Sequence, residues 1–214
     1  MLRWSAYETE RARLLFKTVD LRTGHVGPVS VSVACGECVA ILGASGSGKS
    51  LLFRAIADLD PNQGEVYLNG QSREEMPAYE WRRQVSFVPA ETGWWADRVG
   101  EHFDIGGDLE GLLEAVDLKD ALAWDVSRLS TGERHRLGIV RALQTGPSVL
   151  LLDEPTASLD ADMTGVVESL IKQQLARDVC VLLVTHDPEQ AKRIADRSMR
   201  MSGGRLHPDT GAMP

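Results

Sequence analysis

A glycine-rich segment that follows an apolar run and precedes a helix-forming stretch constrains the fold of this chain more than any other feature. Residues Gly43–Ser50 read Gly-Ala-Ser-Gly-Ser-Gly-Lys-Ser and match the pattern G-x-x-x-x-G-K-[ST] in full. Glycines let the backbone turn tightly, so that successive N–H groups point into one concavity that binds phosphate oxygens. The helix that follows adds the partial positive charge of its N-terminus. The segment therefore predicts a strand, a phosphate-binding loop and a helix, in that order.

The side chains of this loop predict a nucleotide and Mg²⁺ as its ligands. The Lys49 ammonium can reach the β- and γ-phosphates, and the Ser50 hydroxyl can ligate Mg²⁺. We expect the following residues to bind the nucleotide: Gly43, Ala44, Ser45, Gly46, Ser47, Gly48, Lys49, Ser50 and Leu51.

Short, wholly apolar runs separated by helical patterns indicate an α/β fold. The runs Val39–Leu42, Val149–Leu152 and Val179–Val184 are typical of parallel strands that are buried on both faces. Helices are predicted at four places: Lys49–Asp58, Gly132–Leu143, Asp162–Leu175 and Pro188–Ala195.

Two other regions have a different character. Residues 13–33 alternate between apolar and polar positions and predict an antiparallel β layer. Residues 90–128 show no convincing strand, and patterns such as Leu109–Val116 predict an inserted helical subdomain. The predicted fold is therefore a P-loop NTPase core with a mainly parallel sheet, an N-terminal antiparallel β layer and a helical insertion. The predicted division is 1–89 and 145–204 for the core, 90–144 for the helical subdomain, and 205–214 for a loosely ordered tail.

Two adjacent acids follow the apolar run that ends at Leu152. Ligands of parallel α/β sheets bind outside the carboxyl ends of the strands. Asp153 is then placed to bind Mg²⁺, and Glu154 to orient or deprotonate an attacking water molecule. His186 follows a third strand, where it contacts the γ-phosphate or its attacking water, or has a structural role.

Charge and hydropathy exclude several classes of protein. A formal net charge of -8 and a pI near 5.2 argue against a broad nucleic-acid-binding surface, so no nucleic acid is expected as a partner. No run approaches the roughly 18 apolar residues that span a bilayer. Residues 1–8 lack the apolar region of a secretory signal. We therefore expect a cytoplasmic protein, with any membrane-spanning segments supplied by a partner.

Three cysteines suit a reducing compartment. Cys35 and Cys38 form a C-x-x-C pair, but no second pair completes a four-thiolate metal site, and the pair leads into a strand and not a helix. We interpret them as ordinary cysteines without redox or metal chemistry.

Five segments, in this order, resemble the nucleotide-binding subunit of an ABC transporter. The resemblance extends from the antiparallel layer to about Gly204. The segments are the phosphate loop (43–50), the signature (129–133), the Walker B strand with its glutamate (149–154), the D-loop (157–160) and the switch histidine (186).

The resemblance implies a mechanism that involves two copies of the chain. Two subunits sandwich two ATP molecules, each between the phosphate loop of one chain and the signature of the other. Ser130 and Gly132 then contact the γ-phosphate in trans, and Asp160 joins the two sites. A separate integral membrane permease is the partner, and the ATPase lies on the inner face of the cell membrane. The residues assigned to catalysis are Lys49, Glu154 and His186.

Several positions depart from the pattern of the family. The signature has Thr131 and Glu133 where the family usually has Gly and Gln. Ala90 stands where the Q-loop glutamine is expected, and we hypothesise that Glu91 replaces it through a small shift. The adjacent tryptophans 94 and 95 are interpreted as part of the permease interface, with a core position as the alternative.

The aromatic residue that stacks on adenine in the family is also missing. Around residues 20–23, Arg22 or Leu21 remains to contact the base, and Phe16 is expected in the core. We predict weak discrimination among ATP, GTP and CTP.

Two other functions stay open. One is a soluble, non-transport ABC ATPase; the other is an ATP-binding regulatory subunit with weak hydrolysis, suggested by Ala90 and Thr131.

Overall fold

The computed structural model describes residues 14–104 and 108–209. It contains ten strands, arranged in one antiparallel and one mainly parallel sheet. The strands are β1 Leu14–Thr23, β2 Val26–Ala34, β3 Cys38–Leu42, β4 Gln63–Leu68, β5 Gln71–Ser72, β6 Val85–Val88, β7 Val149–Asp153, β8 Cys180–Val184, β9 Arg197–Ser202 and β10 Arg205–Pro208.

Six α-helices and four short 3₁₀ turns surround the sheets in the described part of the chain. The helices are α1 Lys49–Ile56, α2 Ala78–Gln84, α3 Leu109–Ala115, α4 Thr131–Leu143, α5 Ala161–Leu175 and α6 Pro188–Ile194. The 3₁₀ turns are Arg73–Glu75, Val99–His102, Ala121–Ala123 and Val126–Arg128.

The larger sheet determines where the chemistry takes place. Its strand order is β10-β9-β3-β8-β7-β6, and all neighbours are parallel except β9 and β10. Every residue of β3, β7 and β8 is buried, which explains their uninterrupted apolar sequences. Because these strands run in the same direction, the segments that follow them meet at one edge of the sheet.

The smaller sheet is antiparallel, with the order β2-β1-β4-β5. Helix α1 packs between it and the larger sheet, and Phe16 of β1 is fully buried there, as expected. The predicted α/β class, with a mainly parallel sheet and an antiparallel layer, is confirmed.

Residues 90–144 contain helices and turns. Within the described parts, 90–104 and 108–144, the only β pairing is a single bridge between Arg98 and Asp125. The apolar side chains of α3 and α4 pack together and onto the buried face of β7 and β8. The exact division of the chain at residues 90 and 145 stays a prediction.

The predicted loose tail is wrong for its first residues. Residues 205–208 form β10, which pairs with β9, and the Asp209 carboxylate accepts hydrogen bonds from Arg200. Backbone pairing with β9, and not burial of side chains, holds this short strand in place. Its sequence therefore shows no strong apolar alternation. Residues 210–214, and the predicted core residues 1–13, lie outside the described part.

Two of the three cysteines, Cys38 and Cys180, are buried in strands. Cys38 is fully buried in β3, and burial raises the pKa of its thiol to about 12. A thiol with so high a pKa stays protonated and unreactive.

No helix of the described residues is long and apolar enough to cross a membrane.

Candidate nucleotide-binding site

The phosphate loop connects β3 to α1 and depends on glycine at two positions. Gly43 has a φ of 152° and Gly48 a φ of 104°. A Cβ atom on Gly43 would collide with the Met201 carbonyl, and one on Gly48 with the Val26 side chain. Only glycine therefore allows this turn to lie so close to its neighbours.

Lys49 begins α1 and folds back into the loop. Its Nζ donates hydrogen bonds to the carbonyl oxygens of Gly43, at 2.8 Å, and Ala44, at 3.0 Å. The residue is 9% exposed. The ammonium is thus held inside the concavity that the loop encloses.

Ser50 and Asp153 are joined across the sheet edge. The Ser50 hydroxyl donates to Asp153 Oδ2 at 2.5 Å, and Asp153 is 4% exposed. A hydroxyl and a carboxylate are the oxygen ligands that Mg²⁺ prefers. No group of three His, Cys, Asp or Glu side chains in the described regions is arranged to hold a metal alone. The pair therefore fits an ion that takes its other ligands from phosphate and water.

Glu154 and His186 face each other from the ends of β7 and β8. Glu154 Oε2 lies 2.7 Å from His186 Nδ1, and it also accepts a hydrogen bond from the His186 backbone N–H at 3.3 Å. Glu154 has a φ of 52°, which is the left-handed region. A hydrogen bond from its own N–H to the Val184 carbonyl, 2.9 Å long, holds this conformation. Such local strain is common at functional sites.

These residues line one cavity of about 520 Å³. Ala90 and Ala157 also line it, together with His25 from the turn between β1 and β2. The predicted site residues found along its wall are Gly43, Ser45, Gly46, Gly48, Lys49, Ser50, Leu51, Asp153, Glu154 and His186. The structure therefore brings the phosphate loop, the two acids and the histidine together.

Ala44 and Ser47, two of the predicted nucleotide ligands, are not part of the described lining of this cavity. They line a second cavity with Gly203 and Gly204, from the turn between β9 and β10. The Ser47 hydroxyl oxygen is buried and has no hydrogen-bond partner among the described residues.

The signature residues lie outside the nucleotide cavity. Among the residues described, neither Ser130 nor Gly132 belongs to its lining. Ser130 is exposed at the N-terminus of α4 and caps it: its Oγ accepts from the Glu133 N–H, while the Glu133 carboxylate accepts from the Ser130 N–H at 2.8 Å. Gly132 faces Leu159, where a Cβ atom would have little room.

Glu133 and Asp160 both serve helix caps. The pKa of the Glu133 carboxyl lies below its usual value, mainly because the Ser130 backbone N–H donates a hydrogen bond to it. Asp160 is exposed and caps α5, since its Oδ1 accepts from the Met163 N–H at 2.8 Å. Like the signature, Asp160 is not part of the cavity wall within the chain as described.

One expectation about an individual residue needs correction. Leu21 is fully buried in the core, so it is wrong as a contact for the base. Arg22 is exposed but does not line the described cavity, whereas His25 does. Glu91 is exposed and outside the described lining, while its neighbour Ala90 is part of it. No sequence motif marks His25; only its position beside the phosphate loop identifies it.

The phosphate loop after β3, the acids after β7 and the histidine after the intervening β8 define a nucleotide-binding protein of the P-loop NTPase class. The family model described as ABC transporter matches residues 26–157. The chain belongs to the ABC transporter family. It is an ATP-binding subunit whose ATP hydrolysis drives transport.

Individual relatives agree with this assignment. A probable anion import ATP-binding protein of Haloferax volcanii is 33% identical over 205 residues, which cover 82% of this chain and 71% of that protein. The methionine import ATP-binding protein MetN of Brucella abortus is 34% identical over 202 residues. That match covers 85% of this chain and 54% of MetN, so the chain spans about half the length of that relative.

A solved structure of the ATP binding subunit of an ABC transporter has the same fold. Its TM-score to this chain is 0.80, with 26% sequence identity, and the match covers 90% of this chain and 88% of that one.

Proposed function

We propose that two copies of this chain bind two ATP molecules between them and hydrolyse each ATP at the cavity formed by the phosphate loop, Asp153, Glu154 and His186. The observation that supports this most is the convergence of those residues on one cavity. The proposal assigns a role to each of them.

Binding is assigned to the loop and to the residues beside it. Lys49 neutralises charge on the β- and γ-phosphates, and the backbone N–H groups of the loop bind their oxygens. Ser50 and Asp153 hold Mg²⁺, which when bound neutralises charge that develops on the phosphates. Mg²⁺ is usually held by one or two protein ligands together with substrate phosphates, which agrees with this pair.

Proton transfer is assigned to Glu154. Its carboxylate takes the proton of the attacking water molecule as the water oxygen bonds to the γ-phosphorus and the bond from that phosphorus to the β–γ bridging oxygen breaks, so that ADP leaves. His186 hydrogen-bonds one oxygen of that carboxylate through Nδ1, which leaves the other oxygen to face the water. The far side of the imidazole ring is exposed and can contact the γ-phosphate.

The second copy is required because one chain contributes only part of the site. Ser130 is the N-cap of α4 and Gly132 lies in its first turn; α4 is a 13-residue helix with backbone N–H groups at its positive end. Ser130 is exposed and Gly132 is half-buried, and neither lines the described cavity of its own chain. A partner that presents this helix end to the γ-phosphate adds the missing anion-binding groups.

The permease contact is assigned to a groove between β6 and α4. Phe87, Pro89 and Arg141 line this groove. Nearby, Trp95 is 71% exposed and lies 4.9 Å from the Arg141 guanidinium, ring centroid to Cζ. Exposed tryptophan and arginine side chains are typical of residues that dominate binding energy. Trp94, in contrast, is partly buried against the helical core.

We assign the protein to the inner face of the cell membrane, peripheral to its permease. The named relatives import different solutes, anions and methionine, so we assign the choice of solute to the permease. A net charge of -8 disfavours nucleic acid as a partner.

The test is the Glu154→Gln variant, with ATP turnover and dimerisation both measured. We expect the wild-type chain to hydrolyse ATP and the variant to lose at least about 10²-fold in kcat, as is usual when a general base is removed. The variant should still bind Mg-ATP and elute as a stable dimer with it. Wild-type turnover no higher than that of the variant would contradict hydrolysis and favour a regulatory ATP-binding subunit.

A further inference from the structure

Gln190 is a buried polar residue to which the proposed reaction gives no role. It is the third residue of α6 and is 1% exposed. Its Nε2 atom donates a hydrogen bond of 2.6 Å to Thr156 Oγ1, 34 residues earlier in the chain. Its Oε1 atom is buried and has no hydrogen-bond partner in the parts of the chain that the structure describes.

A half-paired amide is a poor choice for a position that needs only to be packed. A buried acceptor without a partner costs free energy, and an apolar side chain of similar volume avoids that cost. Departures of this kind from stable packing are expected at functional positions. The amide of Gln190 is therefore useful only if its hydrogen bond to Thr156 matters to the function.

Thr156 lies in the middle of the β7–α5 connection, residues 154–160. Glu154 and Ala157 of this connection line the nucleotide cavity. The Thr156 carbonyl accepts a hydrogen bond from the Leu159 N–H at 3.1 Å. Leu159 in turn lies against Gly132, because a Cβ atom on that glycine would be 3.1 Å from Leu159 Cδ2. The connection therefore touches the cavity at its start and the signature near its end.

Gln190 belongs to the element that carries His186. The turn between β8 and α6 contains His186 and is closed by two hydrogen bonds. Thr185 Oγ1 accepts from the Asp187 N–H at 3.0 Å, and Asp187 Oδ1 accepts from the Glu189 N–H at 2.9 Å. These bonds join the turn to the first residues of α6, among which Gln190 lies. His186 and Gln190 are thus parts of one hydrogen-bonded unit.

We propose that Gln190 is a positioning residue whose hydrogen bond to Thr156 holds the β7–α5 connection against α6, so that the cavity of one chain and the signature that it presents to its partner keep a fixed separation. The contact between Glu154 and His186 fixes the start of the connection, and Gln190 fixes its middle. This inference rests on the proposed function, since it gives the signature a role at the ATP of the partner.

The first test is a double-mutant cycle on ATPase kinetics. Gln190→Leu and Thr156→Val each remove the hydrogen bond at similar side-chain volume, and a third chain carries both substitutions. Thr156→Ser is the conservative variant, because it keeps the hydroxyl. Glu168→Gln is the matched control: the Glu168 carboxylate accepts hydrogen bonds from Arg193 and joins α5 to α6 about two turns beyond the connection.

We expect each single variant to lower kcat about tenfold while the KM for Mg-ATP stays near the wild-type value, because the reacting groups are displaced and the phosphate loop is untouched. The double variant should lose no more than either single variant, since both substitutions remove the same interaction. Thr156→Ser and Glu168→Gln should keep the wild-type kcat.

Urea unfolding separates this role from a purely structural one. The double variant should be at least as stable as wild type, because it replaces both members of a half-paired polar contact by apolar groups. Glu168→Gln should lose stability and keep its turnover, because it weakens an ion pair in which Glu168 is buried. Wild-type kcat in either single variant, losses that multiply in the double variant, or an equal kcat loss in Glu168→Gln would overturn the proposal.

A second readout does not depend on turnover. Hydrogen exchange of the nucleotide-free chain, measured on peptides that cover residues 154–160 and 129–134, reports how firmly each segment is held. We expect Gln190→Leu to speed exchange about tenfold in the first peptide, with a smaller increase in the second. Glu168→Gln should match wild type in both. Unchanged exchange at 154–160 contradicts the proposal even if turnover falls.

The two levels of inference fail in different ways. If the wild-type chain neither hydrolyses ATP nor dimerises with Mg-ATP, the proposed function is wrong, and the exchange measurement alone decides whether Gln190 holds the connection. If the wild-type chain hydrolyses ATP and the Gln190 and Thr156 variants keep its kcat, only the role of Gln190 is wrong.

Discussion

His186 Nδ1 and Glu154 Oε2 lie 2.7 Å apart, although 32 residues separate them in the chain. The contact joins the ends of two adjacent parallel strands, β7 and β8. Glu154 is 20% exposed and His186 71% exposed, so the histidine covers the carboxylate from the solvent side. The histidine thereby fixes one oxygen of the proposed base.

Replacing His186 by Ala should lower kcat while changing the KM for ATP little. The substitution removes the hydrogen bond that orients Glu154. A well-positioned general base contributes about 10²-fold or more to the rate of the reaction. Steady-state ATPase kinetics measure the effect. The control is His207→Ala, which removes an exposed imidazole from β10. A rise in KM at unchanged kcat would mean that His186 acts in ground-state binding and not in the reaction.

Replacing Asp153 by Asn should raise the Mg²⁺ concentration needed for half-maximal activity by about tenfold or more, since a charged ligand becomes neutral. Ser50→Ala should act in the same direction, because its hydroxyl bonds to the same carboxylate. A Mg²⁺ titration at fixed ATP measures this. Asp120→Asn, an exposed acid of the helical region, should match wild type. An unchanged Mg²⁺ requirement in Asp153→Asn would exclude the proposed metal site.

Glu133 should make the stability of the protein depend on pH in the acid range. Its pKa in the folded state lies below the usual 4.5, because the Ser130 N–H donates to its carboxylate. A group of this kind stabilises the folded state fully above the unfolded-state pKa, and this stabilisation is lost as the pH falls through the folded-state value.

Glu133→Gln keeps an acceptor for the capping box but removes this charge, so it should cost only about 0.3–1 kcal/mol at neutral pH. The difference from wild type should shrink as the pH is lowered through 4.5. Glu133→Ala, which also loses the box, should cost about 1 kcal/mol. Urea unfolding between pH 7 and pH 3 measures all three chains. A difference that grows toward acid pH would contradict the assignment.

Replacing His25 by Ala should weaken the binding of ATP, GTP and CTP to a similar extent. An imidazole that stacks on a base does not read its hydrogen-bonding edge, and such stacking is worth about 1–3 kcal/mol. His25→Phe should restore affinity. The matched control is Arg22→Ala, which changes a nearby exposed residue outside the described cavity lining. Competition binding measures the series, and a loss in Arg22→Ala alone would assign the base contact to Arg22.

Features that depend on short stretches of sequence were predictable. Gly43, Gly48 and Lys49 specify the phosphate loop, because the residues that form the turn and the groups that bind phosphate are close together in the sequence. The spacing of Ser130 and Glu133 likewise forms a capping box within one turn of helix. The buried runs of β3, β7 and β8 were recognised because strands covered on both faces need apolar residues throughout.

Features that depend on pairing across the fold were not predictable. β10 is held by the backbone of β9, and its side chains carry little signal. Leu21 and His25 are separated by only a few residues, yet one is fully buried and the other lines the cavity. That difference arises from how the β1–β2 turn lies against the phosphate loop, which is a contact between distant parts of the chain.

The sequence by itself determined the class of fold, the phosphate loop and the identity of the acids and the histidine, because each depends on neighbours along the chain. Only the tertiary structure decided which of them share a cavity and that Ser130 and Gly132 lie outside its described lining. The physical reason is that strand order and helix packing set these distances, and both arise from burying apolar surface contributed by the whole chain.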